Sequence, residues 1–143
     1  MIGRLLVPRG VLAEIGGYVT GQLPMESGGI LLGHTVGGDR VALEFAALHS
    51  AARARNRYQA AAAESVAAVY RAARTAQDIV ATVHSHPIGE GLPSPTDLLE
   101  AFGYRSCWHV IVSFAQGEAV FGVFEYHNER AVRSYSRVSL DIV

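Results

Sequence analysis

The spacing of apolar residues changes several times along the chain, and each change predicts a different element of secondary structure. Apolar residues recur at helical intervals over residues 11–19, although two adjacent glycines weaken this helix. The strongest helical pattern covers residues 60–76, where Val66, Val69 and Tyr70 recur on one face. These two patterns predict two helices that flank the strands described next.

Short β-branched or continuously apolar runs, bounded by glycine and proline, predict the strands. The predicted strands are residues 3–8, 26–34, 41–45, 78–86, 108–114 and 119–126. Turns at residues 37–39 and 116–117 predict two hairpins, and a short helix is expected from residue 95 to about 103. The weakly alternating tail, residues 130–143, is expected to form a last edge strand. The pattern therefore predicts one mixed α/β domain over residues 1–143.

Composition excludes several classes of protein. The chain has 143 residues, is 50% apolar and has a net charge of −1, whereas a nucleic-acid-binding protein needs a basic face. No apolar run approaches the roughly 18–20 residues of a membrane span, and Pro8 interrupts the apolar N-terminal stretch, so no signal peptide is expected. A single cysteine, Cys107, excludes an internal disulfide and a thiolate metal cluster. We expect a cytoplasmic protein with no membrane or nucleic-acid partner.

The segment that indicates chemistry is His84-Ser85-His86-Pro87, which Ser94 and Asp97 follow. Two residues apart on a strand, His84 and His86 point to the same face and can both reach one metal ion. Asp97, in the first turn of the next predicted helix, can supply an oxygen ligand. Two histidines and one carboxylate leave the fourth position of a tetrahedral zinc for water, as is typical of a catalytic site.

Each part of this pattern also has a structural explanation. Ser94-Pro95-Thr96-Asp97 is a good helix start, with serine at the N-cap, proline at N1 and an acid at N3. A histidine pair on a strand can also belong to a packed core. Chance produces the combination far less often than either part alone. The remaining histidines are expected to be surface or hydrogen-bonded residues: His34, His49, His109 and His127.

A hydrolase of this kind also needs a base that takes a proton from water and passes it to the leaving amine. Glu26 opens the segment ESGGILLG, where Gly28 and Gly29 would let another backbone approach closely. An acid at the start of a strand is nevertheless more often simply solvated. Composition alone leaves three other acidic candidates open, namely Glu14, Glu44 and Glu90.

Together, Glu26, the histidine pair, Ser94 and Asp97 resemble the signature of the JAMM (JAB1/MPN/Mov34) metalloprotease family, over about residues 5–126. The resemblance implies a mixed, curved sheet with flanking helices, of cytidine-deaminase-like architecture. It implies cleavage of peptide or isopeptide bonds after the C-terminus of ubiquitin or ubiquitin-like proteins. By the same resemblance, His84, His86 and Asp97 would bind one zinc ion and Glu26 would be the general acid/base. The Ser94 hydroxyl would help to hold the oxyanion.

The expected partner also follows from the resemblance. The insertions with which eukaryotic deubiquitinases grip a ubiquitin chain are short or missing here, as in small prokaryotic members that act on sulfur-carrier proteins. We therefore expect a ubiquitin-like or sulfur-carrier protein as substrate, with its extended tail along a sheet edge. Homodimers are common for this fold. A basic cluster at Arg53, Arg55 and Arg57 suits either a solvated loop or a contact for an acidic carrier.

Two alternatives of other classes stay open at this point. One is a catalytically silent MPN scaffold, although such domains tend to lack the metal ligands that this chain has. The other is a RadC-like DNA-repair-associated protein, whose histidine and Pro-Ser-x-x-Asp pattern is similar. A TIM barrel would need about 250 residues and a cupin an all-β sequence, so neither of these folds is compatible with the chain.

Overall fold

The computed structural model describes residues 3–50, 58–100, 107–129 and 132–143, and these contain seven strands and three helices. The strands are β1 (Arg4–Val7), β2 (Gly28–Val36), β3 (Asp39–Ala47), β4 (Asp78–Ser85), β5 (Trp108–Ala115), β6 (Glu118–Glu129) and β7 (Val132–Ile142). The helices are α1 (Arg9–Gly21), α2 (Ala62–Arg74) and α3 (Pro95–Glu100). The basic cluster at Arg53, Arg55 and Arg57 lies outside the described residues.

All seven strands belong to one mixed sheet, in the order β1-β3-β2-β4-β5-β6-β7, and β7 pairs with β1 so that the sheet closes on itself. β1 is parallel to β3 and β7, and β4 is parallel to β5, whereas the other neighbours are antiparallel. The expectation of an edge strand at the end of the chain is therefore wrong. The tail lies between β6 and β1 because its backbone supplies hydrogen-bond partners for the second side of β1. The predicted mixed α/β fold is confirmed.

Turn chemistry explains why the two predicted hairpins form where they do. Gly37 has φ 62°, and Gln116 and Gly117 have φ 53° and 81°. Positive φ at these positions matches the twist of the flanking strands, and glycine adopts it at low cost. The third helix is described to Glu100, and its expected continuation to residue 103 lies outside the described residues.

Two apolar clusters fill the space on either face of the sheet. Successive residues of β2 contribute to opposite clusters, with Leu31 on the side of α1 and Ile30 on the side of α2. Helix α2 buries Ala68 and Ala72, because small side chains let it lie close to the sheet. The larger apolar residues that predict this helix point outward instead, and they are Val66, Val69 and Tyr70. No helix within the described ranges is long and apolar enough to cross a membrane.

Glycines let β2 lie unusually close to both of its neighbours. A Cβ atom on Gly28 would be 2.0 Å from the Val83 carbonyl oxygen, and one on Gly29 would be 2.1 Å from that of Ala46. No other residue type fits these positions without moving the backbone of β3 or β4. The predicted close approach of another backbone is confirmed, and it fixes the start of β2 against the histidine strand.

Candidate metal centre

Strand β4 carries the two histidines to one end of the sheet. His84 lies within β4, opposite Gly28 of β2. His86 follows the last residue of the strand and donates its backbone N–H to the Val112 carbonyl of β5, at 2.8 Å. The Nε2 atoms of the two imidazoles are 3.1 Å apart, so both rings point to the same place, as their spacing predicts.

Helix α3 brings Asp97 to the same point. Its Oδ1 atom is 3.2 Å from the His84 Nε2 atom, and its Oδ2 atom is 3.1 Å from the His86 Nε2 atom. The side chains are largely buried, with exposed fractions of 14% for His84, 12% for His86 and 17% for Asp97. Each of the three side chains therefore keeps a small solvent-exposed fraction.

These three residues fit a tetrahedral zinc ion. Ligand atoms about 2.0–2.1 Å from zinc lie roughly 3.3–3.4 Å from one another, close to the separations in this cluster. The Nδ1 atom of His86 is 2.9 Å from the carbonyl oxygen of Glu90. A carbonyl only accepts, so Nδ1 carries a proton, and Nε2 is the nitrogen of His86 that would bind a metal ion after giving up its own proton.

The Ser94–Asp97 segment caps helix α3, as its sequence predicts, and also carries the aspartate that lies at the histidine cluster. The Asp97 backbone N–H donates to the Ser94 Oγ atom at 3.1 Å, and the Ser94 backbone N–H donates to Asp97 Oδ2 at 2.9 Å. This reciprocal pair is a capping box, and it orients the Asp97 carboxylate toward the histidines. Because Ser94 Oγ accepts in this pair, its own hydroxyl proton stays available for donation.

Glu26 lies beside the cluster, just before β2. The Ser85 backbone N–H donates to the Ser27 carbonyl at 2.8 Å, and the Ser27 backbone N–H donates to Ser85 Oγ at 3.0 Å. These bonds continue the antiparallel register that pairs Gly28 with His84. Glu26 is therefore opposite His86, with its side chain on the same face of the sheet.

Two carboxyl groups near the same histidines have opposite pKa shifts. Burial raises the pKa of Glu26, an effect that the positive charges of His84 and His86 only partly oppose. Burial would also raise the pKa of Asp97, but hydrogen bonds with His84 and His86 outweigh it and hold that pKa well below its usual range. Asp97 is thus fixed as a carboxylate, whereas Glu26 is the group better suited to take up a proton.

Most of the other predicted candidates have partners outside the cluster. Glu44 forms an ion pair with Arg71, and Glu90 contributes its main-chain carbonyl to His86. His34 is exposed. His49 bonds to Glu64, His127 to Ser136 and His109 to Thr82. Cys107 is buried, as expected for a core residue, and burial raises the pKa of its thiol.

Tyr58 is a residue near Glu26 that the sequence does not predict. The backbone N–H of Tyr58 favours the ionised form of the Glu26 carboxylate and so partly opposes the rise in its pKa. The Tyr58 hydroxyl donates to the carbonyl of Leu48 at 2.8 Å. The influence of a main-chain N–H requires no particular residue type, so no motif indicates it.

The comparisons with known proteins agree with this fold. A family model described as prokaryotic homologs of the JAB domain matches residues 8–126. The chain belongs to this family, as its sequence signature predicts. No curated protein matches the chain.

Two solved structures are similar over nearly their whole length. The solution structure of a protein from Desulfitobacterium hafniense has a TM-score of 0.81 at 21% identity, covering 97% of this chain and 94% of the other. The solution structure of a protein from Salinibacter ruber has a TM-score of 0.71 at 27% identity, covering 96% of this chain and 90% of the other. Both comparisons support the fold described above.

Proposed function

We propose that this protein is a zinc-dependent hydrolase that cleaves a peptide or isopeptide bond at the C-terminus of a ubiquitin-like or sulfur-carrier protein. The observation that carries the proposal is the convergence of the His84, His86 and Asp97 ligand atoms on one partly accessible point. Membership of the JAB-domain family supports it. A cytoplasmic location stays a prediction from the sequence.

The side chains divide the chemistry between them. His84, His86 and Asp97 would hold one zinc ion, which polarises a carbonyl group and lowers the pKa of water when it is bound in such a site. Glu26 takes the proton from the attacking water and returns it to the leaving amine, and its half-buried position opposite His86 suits both transfers. The Ser94 hydroxyl donates a hydrogen bond to the oxyanion that forms on the scissile carbonyl.

The described strands leave little free sheet edge against which a substrate tail could lie. The resemblance to the family leads us to expect that an extended tail pairs with a sheet edge. Since β7 closes the sheet onto β1, none of the described strands is a complete free edge. Docking along an edge therefore stays a prediction, and it would have to use a stretch of a strand that extends beyond the short β1.

The proposal predicts that zinc binding and turnover are lost separately. We expect about one zinc per chain in the wild type and in Glu26→Gln, and much less in His86→Ala. Glu26→Gln should lower cleavage by a factor of about 10²–10⁴, because it removes the proton carrier while leaving the metal ligands in place. The measurements are metal content and release of a fluorogenic amine from the C-terminus of ubiquitin-fold carrier proteins.

Matched variants separate these effects from general damage. His127→Ala replaces a histidine that bonds to Ser136, and Glu14→Gln replaces an exposed acid of α1, so neither should change zinc content or turnover. Full turnover in Glu26→Gln would remove Glu26 from the mechanism. A wild type that takes up no zinc when supplied with it would favour the silent scaffold.

A further inference from the structure

We propose that Ser85 is a positioning residue, whose buried hydroxyl oxygen joins the histidine strand β4 to the main chain beside Glu26. The inference rests on the proposed role of Glu26 in proton transfer, since its distance from the metal ligands matters to turnover only if Glu26 carries the proton. Ser85 acts through the main chain next to Glu26 and has no direct part in the chemistry.

The side chain of Ser85 lies on the other face of the sheet from the two histidines that flank it in sequence, because side chains alternate along a strand. On that face it follows Val83, which belongs to the same apolar cluster as Leu31, and it is fully buried. Ser27 has the same relation to Glu26 and is buried as well. Two hydroxyl groups therefore lie behind the metal centre, where an unpaired polar atom is costly.

Two hydrogen bonds connect these serines. The Ser85 backbone N–H donates to the Ser27 carbonyl at 2.8 Å, as the antiparallel register of β2 and β4 requires. In a regular antiparallel pair, the second N–H donates in return to the other main-chain carbonyl. Here the Ser27 backbone N–H donates to the Ser85 Oγ atom instead, at 3.0 Å. The side chain of Ser85 thus takes the place of its own carbonyl as the acceptor.

The bond between Ser27 and Ser85 lies immediately beside the groups that are proposed to act. Ser27 follows Glu26 in the chain, and Ser85 precedes His86. His86 is also held from its other side, because its backbone N–H donates to the Val112 carbonyl of β5 at 2.8 Å. Loss of the Ser85 acceptor should therefore let the main chain at Glu26 move relative to the histidines, while the histidines keep their own hydrogen bonds.

The two serines differ in what their hydroxyl groups do. Alanine at position 85 would leave the buried Ser27 N–H without its acceptor. The Oγ atom of Ser27, by contrast, has no hydrogen-bond partner in the described part of the chain. Removing either hydroxyl takes one buried oxygen atom from the same place, but only the removal at Ser85 breaks a bond between the strands.

The test compares Ser85→Ala with Ser27→Ala. In the metal-free protein, hydrogen exchange measured by NMR should show the residue 27 amide about tenfold less protected in Ser85→Ala and unchanged in Ser27→Ala. With zinc bound and a fluorogenic carrier substrate, Ser85→Ala should lower kcat about tenfold at unchanged KM and zinc content, because it misplaces only the proton carrier. Ser27→Ala should keep the wild-type kcat.

A second comparison separates positioning from general damage. In a Glu26→Gln background the proton carrier is already absent, so adding Ser85→Ala should change the remaining rate much less than it changes the wild-type rate. A purely structural effect of Ser85→Ala would lower the rate by the same factor in both backgrounds, and that result would overturn the proposal.

Two further results would overturn it: equal protection of the residue 27 amide in Ser85→Ala and the wild type, or an unchanged kcat in Ser85→Ala. If Ser85→Ala does not fold, Ser85→Cys keeps a side chain of similar size with a weaker acceptor, and the same comparisons should show smaller changes in the same direction. The amide measurement does not depend on turnover. A wild type that cleaves no carrier therefore contradicts the proposed function, whereas the amide result tests the bond itself.

Discussion

Among single residues, His109 shows how burial determines the charge of a side chain in this protein. It is buried, its Nδ1 atom is 2.6 Å from Thr82 Oγ1, and its ring stacks on Tyr126 with 3.9 Å between centroids. Burial lowers the pKa of His109 from 6.5 to about 3. Its Nε2 atom has no hydrogen-bond partner in the described part of the chain, so charging the ring would leave a buried cation without compensation.

This shift predicts a specific dependence of stability on pH. Between pH 6.5 and about 3 the unfolded chain protonates His109 and the folded chain does not, so the free energy of unfolding falls as the pH falls through this window. A pKa lowered from 6.5 to about 3 corresponds to about 5 kcal/mol at most, at about 1.4 kcal/mol for each pKa unit. In His109→Gln the free energy of unfolding should fall less steeply between pH 6 and 4, as measured by urea denaturation.

The control for this prediction is His34→Gln, which replaces an exposed histidine and should keep the wild-type slope. The comparison uses slopes rather than absolute stabilities, because His109→Gln also loses its packing on Tyr126. Equal slopes in His109→Gln and the wild type would show that His109 is charged in the folded protein.

At the candidate site, the sequence predicts the residues that act through side-chain chemistry. The spacing of His84, His86 and Asp97 follows from strand and helix periodicity, so their convergence can be anticipated. The influence of the Tyr58 backbone on the pKa of Glu26 could not be anticipated, because a main-chain group requires no particular residue type and its position depends on how the segment after β3 folds back.

At the scale of elements, the position of β2 between β3 and β4 depends on Gly28. A Cβ atom at this position would be 2.0 Å from the Val83 carbonyl oxygen and 2.9 Å from the His84 Cα atom. Gly28→Ala should therefore displace β4, lower the free energy of unfolding by about 1–3 kcal/mol and weaken zinc binding. Urea denaturation and zinc titration measure the two effects.

The matched control is Gly10→Ala in α1, where a Cβ atom would meet nothing within 4 Å. A helical alanine is favoured over glycine, so this variant should be at least as stable as the wild type and bind zinc equally well. A Gly28→Ala protein with wild-type stability and zinc affinity would mean that the two strands can separate at no cost.

Helix α2 shows which property of an element its sequence can predict. The recurrence of Val66, Val69 and Tyr70 correctly indicates a helix, yet these side chains are exposed and the helix packs through Ala68 and Ala72. Periodicity depends on local geometry, whereas the buried face depends on how closely the helix can approach the sheet. That distance is set by the other elements and is not visible in the helical segment itself.

For the whole molecule, closure of the sheet is the feature that the sequence does not predict. Strand β7 is exposed along most of its length, and Val138 is its one buried residue. Its weak alternation is therefore typical of an edge. Its position between β6 and β1 depends on main-chain hydrogen bonding, which does not appear in the hydrophobic pattern.

The apolar clusters predict that the fold does not depend on metal. They are built by β-strands, α1 and α2, and include none of the three candidate ligands. Removing zinc with a chelator should therefore leave the far-UV circular dichroism spectrum unchanged. The melting temperature should fall only because the free energy of zinc binding no longer stabilises the folded state. That energy is about 2.7 kcal/mol when zinc is at 100 times its Kd.

The same measurement on His86→Ala provides the comparison, since zinc should not raise the melting temperature of this variant. A spectrum of an unfolded chain after chelation would contradict the prediction. It would place this protein with the small domains that fold only around their metal.

The parallel pairing of β1 with β7 also has a consequence for biosynthesis. Arg4 lies opposite Ser139, and the backbone N–H of Val143 donates to the carbonyl of Val7 at 3.1 Å. A ribosome adds about 5–20 residues per second, so β1 leaves it many seconds before its second neighbour exists. Until β7 has been made, the nascent chain exposes one unpaired side of β1, and a chaperone or a neighbouring nascent chain can bind it first.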